Sequence, residues 1–387
     1  MSGVLLHDGR RSGHHGWCTS AIAEGVADGV FLSPFSTPRI SVPRSPSGEE
    51  VARSVRAAGG EVIFDAMTHA RLLPNTNRVD HYDTWELWGP AGLGLETPNQ
   101  SLQHIERIFA HQHALGAPYL APTMALEMPQ SPTSDNMIAA AEIARGLQGG
   151  CWQSLAGTRA FWRAGQRLDA YVGRLAALRA PAWVVTVINE FVADHIPALD
   201  DTVAFAGLCR TVHSLSERSR VIVAHADFAG LICVASGADT IGSGWDRGMR
   251  VFDPSTFHVS SDDSIRIPAS YVTQGGLLAV LRRDTADAIE RWNPGLALAI
   301  RGGPMPPSDH AERTHHLRVL REVVQAVNVQ GDRRMRVHEL RTRYADAGQF
   351  FDTLIASLPR VVLPSDKKAW RNNQAEALQA YAADEQL

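Results

Sequence analysis

Lysine is almost missing: Lys367 and Lys368 are the only two in 387 residues, so arginine carries the positive charge. That choice suits bidentate contact with phosphate or carboxylate, although arginine-rich coding produces it equally well. Cysteine is scarce too. Cys18, Cys151, Cys209 and Cys233 lie far apart, which excludes zinc-ribbon spacing and leaves free thiols in a reducing cytosol as the simplest expectation. No apolar run approaches the ~18 residues of a membrane span, and the N-terminus has no apolar signal core, so a cytoplasmic chain with no membrane association is expected. The net charge of −4 excludes a global pull toward nucleic acid or anionic lipid and leaves a local basic groove open. There is no internal repeat, no low-complexity segment, and no glycine-rich dinucleotide fingerprint after the first strand.

What is present is an alternation of short apolar runs and helical stretches. The spacing predicts strands at Gly29–Phe35, Glu61–Thr68, Ala117–Met124, Trp183–Glu190, Arg220–Asp227 and Ala238–Ser243, with a weaker one at Val4–His7. Their cores are nearly continuous apolar runs, as in parallel strands buried on both faces. Helices are predicted over 48–58, 101–115, 135–147, 157–178, 201–217 and 228–235, with Ser47 and Ser134 as starts and Gly59-Gly60 as a stop. Such alternation predicts an α/β fold, a (β/α)8 TIM-type barrel over residues 1–300, with a doubly wound sheet as the alternative. After Arg250 the pattern changes to irregular or short antiparallel strands, then helices. Residues 301–387 are expected to form C-terminal helices packed on the barrel, including a pair within 333–357.

In such a barrel the chemistry sits where strands end. The runs here end in Asp65 with His69, in Asn189-Glu190, in His225 and Asp227, and in the stretch holding Asp239, Ser243, Trp245, Asp246, Arg247 and Arg250. Asp65 suits a helix cap as well as a reacting carboxylate. Glu190 follows an apolar run and needs a partner. His225 suits a core histidine or a proton carrier, and Asp246 a turn. Together they fit acid–base or carboxylate-nucleophile chemistry. The candidate catalytic carboxylates are Asp65, Asp239 and Asp246, and the other eight, with His69, are candidate substrate contacts. The paired histidines His14-His15 and His315-His316, and His111 with His113, lack metal spacing, so no metal and no cofactor is expected.

The block RVIVAHADFAGLICVASGADTIGSGWDRGMRVF, followed by SSDDSIRIPASY, resembles the back half of the tRNA-guanine transglycosylase barrel, whose relatives include enzymes that insert 7-deazaguanine bases into DNA. The matching features are Gly237-Ala238-Asp239, Arg247-Gly248-Met249-Arg250 and the 260–271 segment. His315-His316-Leu317 resembles the family's His-Asn-Leu helix. Asp65 stands where the family places a catalytic aspartate, and Glu190 resembles the glutamate of its base-binding strand. The resemblance implies base exchange: a carboxylate attacks the sugar C1′ while a second group handles the base. Trp245 and Phe228 would stack on a flipped base, Asn189 and Glu190 would read its edge, and Arg247 and Arg250 would hold phosphate. Two features depart from the pattern. The nucleophile position, three residues after Gly-x-Asp, is Gly242, which leaves Asp246 as the substitute if the turn is rebuilt. The zinc-binding cysteine cluster is absent.

Three functions remain in order of preference: a base-exchanging or N-glycosidic bond-cleaving enzyme on DNA or tRNA; a glycosidase-like hydrolase using Asp65 with Glu190 or Asp246; and a non-catalytic barrel in a larger complex or a homodimer.

Overall fold

The computed structural model describes all residues except 1–2, 11–12, 191, 194–195, 198–200 and 260–269. Most of the expected SSDDSIRIPASY segment therefore lies outside the described residues. Eight strands form one parallel sheet: β1 (Gly3–His7), β2 (Gly29–Leu32), β3 (Glu61–Phe64), β4 (Ala125–Leu126), β5 (Gln153–Thr158), β6 (Ala182–Ile188), β7 (Arg220–Ala224) and β8 (Thr240–Gly244). Their order is β3-β2-β1-β8-β7-β6-β5-β4. The last strand thus pairs with the first, in register from Gly3 against Thr240 to His7 against Gly244.

Among the described residues no ladder joins β3 to β4. At that seam the buried Gln112 amide donates 3.0 Å bonds to the carbonyls of Phe64 and Leu120 and accepts another from the Leu120 N–H. One side chain so satisfies backbone groups that a neighbouring strand would otherwise pair.

Alternation along the strands sorts the core. Leu5, Phe31, Ile63, Val184, Ile222 and Ala224 form a small cluster on one face of the sheet with Leu120. Val4, Leu6, Val30, Leu32, Val62 and Phe64 point the other way, into a large cluster shared with the helices. Both faces are apolar, which is why the strands read as continuous runs.

Helix starts follow local chemistry. Ser47 caps the helix Gly48–Ala57 in a reciprocal box with Glu50, and the chain leaves that helix through Gly59 at φ 87°. The expected start at Ser134 is corrected to Ser131, whose hydroxyl accepts the Ser134 N–H, with Pro132 in the first turn. The expected helix 157–178 is corrected as well. Gln153–Thr158 is a buried strand, and the helix proper is Gln166–Ala177. The expected strand 117–124 shrinks to a bridge at Leu120 followed by β4.

Beyond the sheet, Tyr271–Gln274 and Ala279–Arg282 form an antiparallel hairpin. The expected helix pair within 333–357 is one helix, Arg333–Ser357. Helix Asp309–Asn328 packs on β1 and on helix Leu231–Ser236, and helix Asn373–Asp384 packs on Thr202–Ser216. These helices share the large core, through Leu317, Val324 and Tyr381. Among the described residues no helix is long and apolar enough to cross a membrane.

Candidate active site

Three of the expected residues meet at the C-terminal strand ends. His225 follows β7, Asp65 follows β3, and His69 lies in the short helix Thr68–Arg71 behind it. A fourth group, not foreseen, completes them. His7, the last residue of β1, lies flat against His225 with ring centroids 3.5 Å apart, and its other face stacks on Phe31 at 4.8 Å.

Hydrogen bonds fix the ring protons. The His225 backbone N–H donates to His7 Nε2 (2.8 Å), so the proton of the neutral His7 ring sits on Nδ1. His225 Nδ1 lies 2.8 Å from the Met249 carbonyl, which accepts only, so this nitrogen carries the proton and Nε2 is left as an acceptor. Burial, with the facing His225 ring, holds His7 well below its ordinary pKa, and burial brings His225 down to about 4. Both rings are neutral at pH 7.

The Asp65 carboxylate accepts the Met67 N–H (2.7 Å), which turns the chain rather than capping a helix: the short helix Thr68–Arg71 has no side-chain cap. Burial pushes the Asp65 carboxyl up, opposed by that N–H and by His225. Met67 (φ 47°) and His225 (φ 49°) adopt the left-handed region without being glycine. Such strain gathers where function fixes the backbone.

His69 is the most unusual member. It is 2% exposed, packs on Phe252 at 5.0 Å, and neither ring nitrogen has a hydrogen-bond partner. Burial drives it down to about 3. Asn189 borders the same ring of residues: its N–H donates to the Phe252 carbonyl (3.1 Å), and its buried Oδ1 is unpartnered. Glu190 follows it and is exposed.

The remaining expected residues are corrected. Asp239 precedes β8, at the opposite end of the strands, where it pairs with Arg220, which also holds Glu61. It is a sheet-end ion pair rather than a catalytic group. Asp246 lies 3.9 Å from Arg313, whose guanidinium sits over the Trp245 ring at 3.7 Å. Trp245 packs edge-on against Trp17 at 5.1 Å, and Arg247 stacks on Tyr271 at 3.8 Å. These contacts engage Trp245, one of the two expected stacking groups, and Arg247, one of the two expected phosphate-holding groups. Phe228 is fully buried against His316.

Asp227, Ser243 and Arg250 belong to a separate buried network. Asp227 Oδ2 accepts from Ser243 (2.7 Å) and from His316 Nε2 (2.8 Å), with Arg250 at 3.6 Å. His316 Nδ1 meets the Thr273 hydroxyl (2.9 Å), which meets Glu312 Oε1 (2.8 Å). Burial would raise the Asp227 carboxyl, but His316 and Arg250 hold it well below its ordinary range. The Thr273 hydroxyl has one proton for two neighbours, so the His316–Glu312 pair must share one more: a charged imidazole facing a carboxylate, or a neutral ring facing a protonated Glu312. The network fastens helix Asp309–Asn328 to the sheet. Asp227→Ala is expected to lower the unfolding free energy by ~3–5 kcal/mol, because it leaves buried partners unpaired. Urea titration of the two proteins checks this.

The sequence position of the family nucleophile has a physical reason for being glycine. A Cβ at Gly242 would overlap His7 Nε2 and lie 2.8 Å from the His225 nitrogen. His7 fills the space that a larger residue there would need. Gly242→Ala is expected to cost ~1–3 kcal/mol, and His7→Ala in the same chain to recover part of it, as read from denaturation midpoints.

No family model matches the chain, and no curated protein matches it. Among solved structures, a probable tagatose 6 phosphate kinase from Sinorhizobium meliloti 1021 aligns over 100% of this chain and 98% of its own, at 11% identity and a TM-score of 0.30. A likeness that slight assigns neither a fold nor a function.

Proposed function

We propose that this chain cleaves or exchanges the N-glycosidic bond of a nucleobase in DNA or tRNA, with Asp65 as the group that moves the proton. The observation that carries the reading is the placement at the strand ends of Asp65, whose carboxyl burial pushes up, near enough to a neutral His225 with an acceptor Nε2 for each to bias the other's ionisation. In this reading the sheet works as a closed barrel, with Gln112 as its clasp between β3 and Leu120. The resemblance to tRNA-guanine transglycosylases supports Asp65 in the role, and a cytoplasmic enzyme follows from it.

The departure at Gly242 changes the route. Without a carboxylate there, displacement is direct. Asp65 takes a proton from the attacking water or incoming base, the new bond forms at C1′, and the electron pair of the breaking C–N bond leaves with the departing base, which then takes the proton from Asp65. His225 Nε2 and Asn189 Oδ1 are acceptors for amino or imino N–H groups of that base. Asp246, held by Arg313, is a poor second carboxylate for a glycosidase-like hydrolase.

The test incubates the purified chain with tRNA, double-stranded DNA, single-stranded DNA and free nucleosides, and follows released base and uptake of labelled guanine and 7-deazaguanine. Release or exchange on a polymer, with binding that weakens steeply as salt rises, is expected. No binding at low salt and no release from any substrate would end this reading.

A further inference from the structure

A cavity of about 230 Å³ lies beside the C-terminal ends of β1 and β2, where helices His14–Ala23 and Gly48–Ala57 begin. Its lining includes Asp8, Arg10, His14, His15, Thr37 and Arg44. Asp8 is on the side of β1 opposite His7, as strand alternation requires, so this cavity is distinct from the strand-end site.

Three features converge in it. Helix His14–Ala23 starts at Gly13 with φ 88°, has no side-chain cap, and carries no acidic residue in its first turn. Among the described residues, then, no acidic side chain of the helix itself meets its first N–H groups and the positive end of its dipole. Arg10 is held in place by its Nε bond to the Phe35 carbonyl (2.7 Å) and its Nη2 bond to the Arg78 carbonyl (3.1 Å), and it spends only part of its donor fork on them. Asp8, 8% exposed, takes the Thr37 hydroxyl on Oδ2, while its buried Oδ1 makes no hydrogen bond of good geometry, with only the Ser33 and Asp8 backbone N–H groups near the carboxyl. A buried carboxyl oxygen with no partner is costly, and a ligand atom would relieve it.

We infer that this cavity binds the phosphate of a small phosphate monoester, seated on the first turn of helix His14–Ala23 between Arg10 and Arg44, with the Asp8 carboxyl donating to one phosphate oxygen. Donation requires a protonated Asp8, and burial pushes its carboxyl up to about 7. The charged or titratable groups facing it across the cavity are Arg10 from its own loop, His14, His15 and Cys18 from the helix and Arg44 from the loop before Gly48; burial keeps the Cys18 thiol well above its ordinary value, with help from Asp8, brings His14 down to about 4 and lowers His15, so all three are neutral near pH 7. Helix N-termini with arginine are natural phosphate seats, and a dianion gains more from them than a monoanion. This inference does not depend on base-exchange activity.

The test is calorimetric titration of the full chain with sulfate, methyl phosphate and dimethyl phosphate. Saturable binding of sulfate and methyl phosphate in roughly the millimolar range or tighter is expected, with dimethyl phosphate at least roughly 10-fold weaker. Arg44→Ala, at an exposed position, and His15→Glu, which places a carboxylate in the first turn, should each weaken sulfate binding roughly 10-fold; the second should leave folding intact because an acid there favours the helix. Sulfate does not titrate near neutrality, so its affinity should fall as pH rises through about 7 in the native chain and stay level in Asp8→Asn. Absence of saturable sulfate binding, or binding unchanged in both His15→Glu and Arg44→Ala, would overturn the site. Equal binding of dimethyl phosphate would overturn the monoester assignment in favour of a nucleic-acid backbone. A pH-independent native affinity would remove Asp8 as the donor.

Discussion

Asp65→Asn should abolish base release while raising the unfolding midpoint. The two halves of that result have one cause. Asparagine keeps the oxygen that accepts the Met67 N–H, so the turn after β3 and the left-handed Met67 persist. What it loses is the ability to take up and release a proton. General acid–base groups contribute about 10²–10⁴-fold, and a loss of that size in kcat/KM is expected at pH 7.5. Stability moves the other way. Burial raises the Asp65 carboxyl, so the ionised group is destabilising in the folded state above its unfolded pKa, and a neutral amide removes that cost. A purely structural aspartate would show the reverse pair of effects, with activity intact and midpoint lowered. Rates and denaturation midpoints measured together on Asp65→Asn and the native chain distinguish the cases. A variant that keeps its rate would remove Asp65 from the chemistry.

The parts that sequence pattern made visible are those set by local composition. Strands such as Ala182–Ile188 are apolar on both faces, so their runs stand out, and Ser47 with Glu50 announces its helix. Asp65, His69 and His225 were legible because each directly follows such a run. β5 was hidden because Gln153, Ser154 and Thr158 are buried polar residues that break the apolar run, and the partner of Ser154, the Ala121 carbonyl, comes from a distant segment. His7 was hidden for a different reason. It is the last residue of a short strand, and only the closure of β1 onto β8 brings it against His225 and into the space above Gly242. The network of Asp227, His316, Thr273 and Glu312 spans nearly ninety residues of chain, and no spacing rule connects them. Asp239 misled because Gly-Ala-Asp precedes a strand, and a motif match does not say at which end of that strand a side chain lies.

The buried histidines set a second large expectation: the fold should lose stability steeply between about pH 6.5 and pH 4. Burial holds His7 well below its ordinary value, brings His14, His104 and His225 down to about 4, and His69 to about 3. The sign follows from which state binds more protons. Below 6.5 the unfolded chain protonates these rings and the folded chain does not, so acid pulls toward unfolding until the folded values are reached. Asp8, Asp65, Asp239 and Glu312 oppose this. Burial raises each carboxyl in the folded chain, that of Asp8 to about 7, so their contribution is present below the unfolded carboxylate value and fades as pH rises through the folded values. The lowered histidines outnumber them. A net uptake of roughly two protons on unfolding corresponds to roughly 3 kcal/mol per pH unit, comparable over the window with the whole stability of a domain. Urea midpoints from pH 7.5 to 4.5 measure the slope. His69→Leu isolates one ring: with two unpartnered nitrogens gone, stability at pH 7.5 should rise, and the acid slope should fall by close to one proton. A flat profile, or an unchanged slope in His69→Leu, would mean that these rings find protons or partners inside the folded chain. The apolar floor beneath Asp65 and His225 would then be wetter than the packing of His69 on Phe252 implies, and a neutral His225 acceptor would no longer be available to the proposed chemistry.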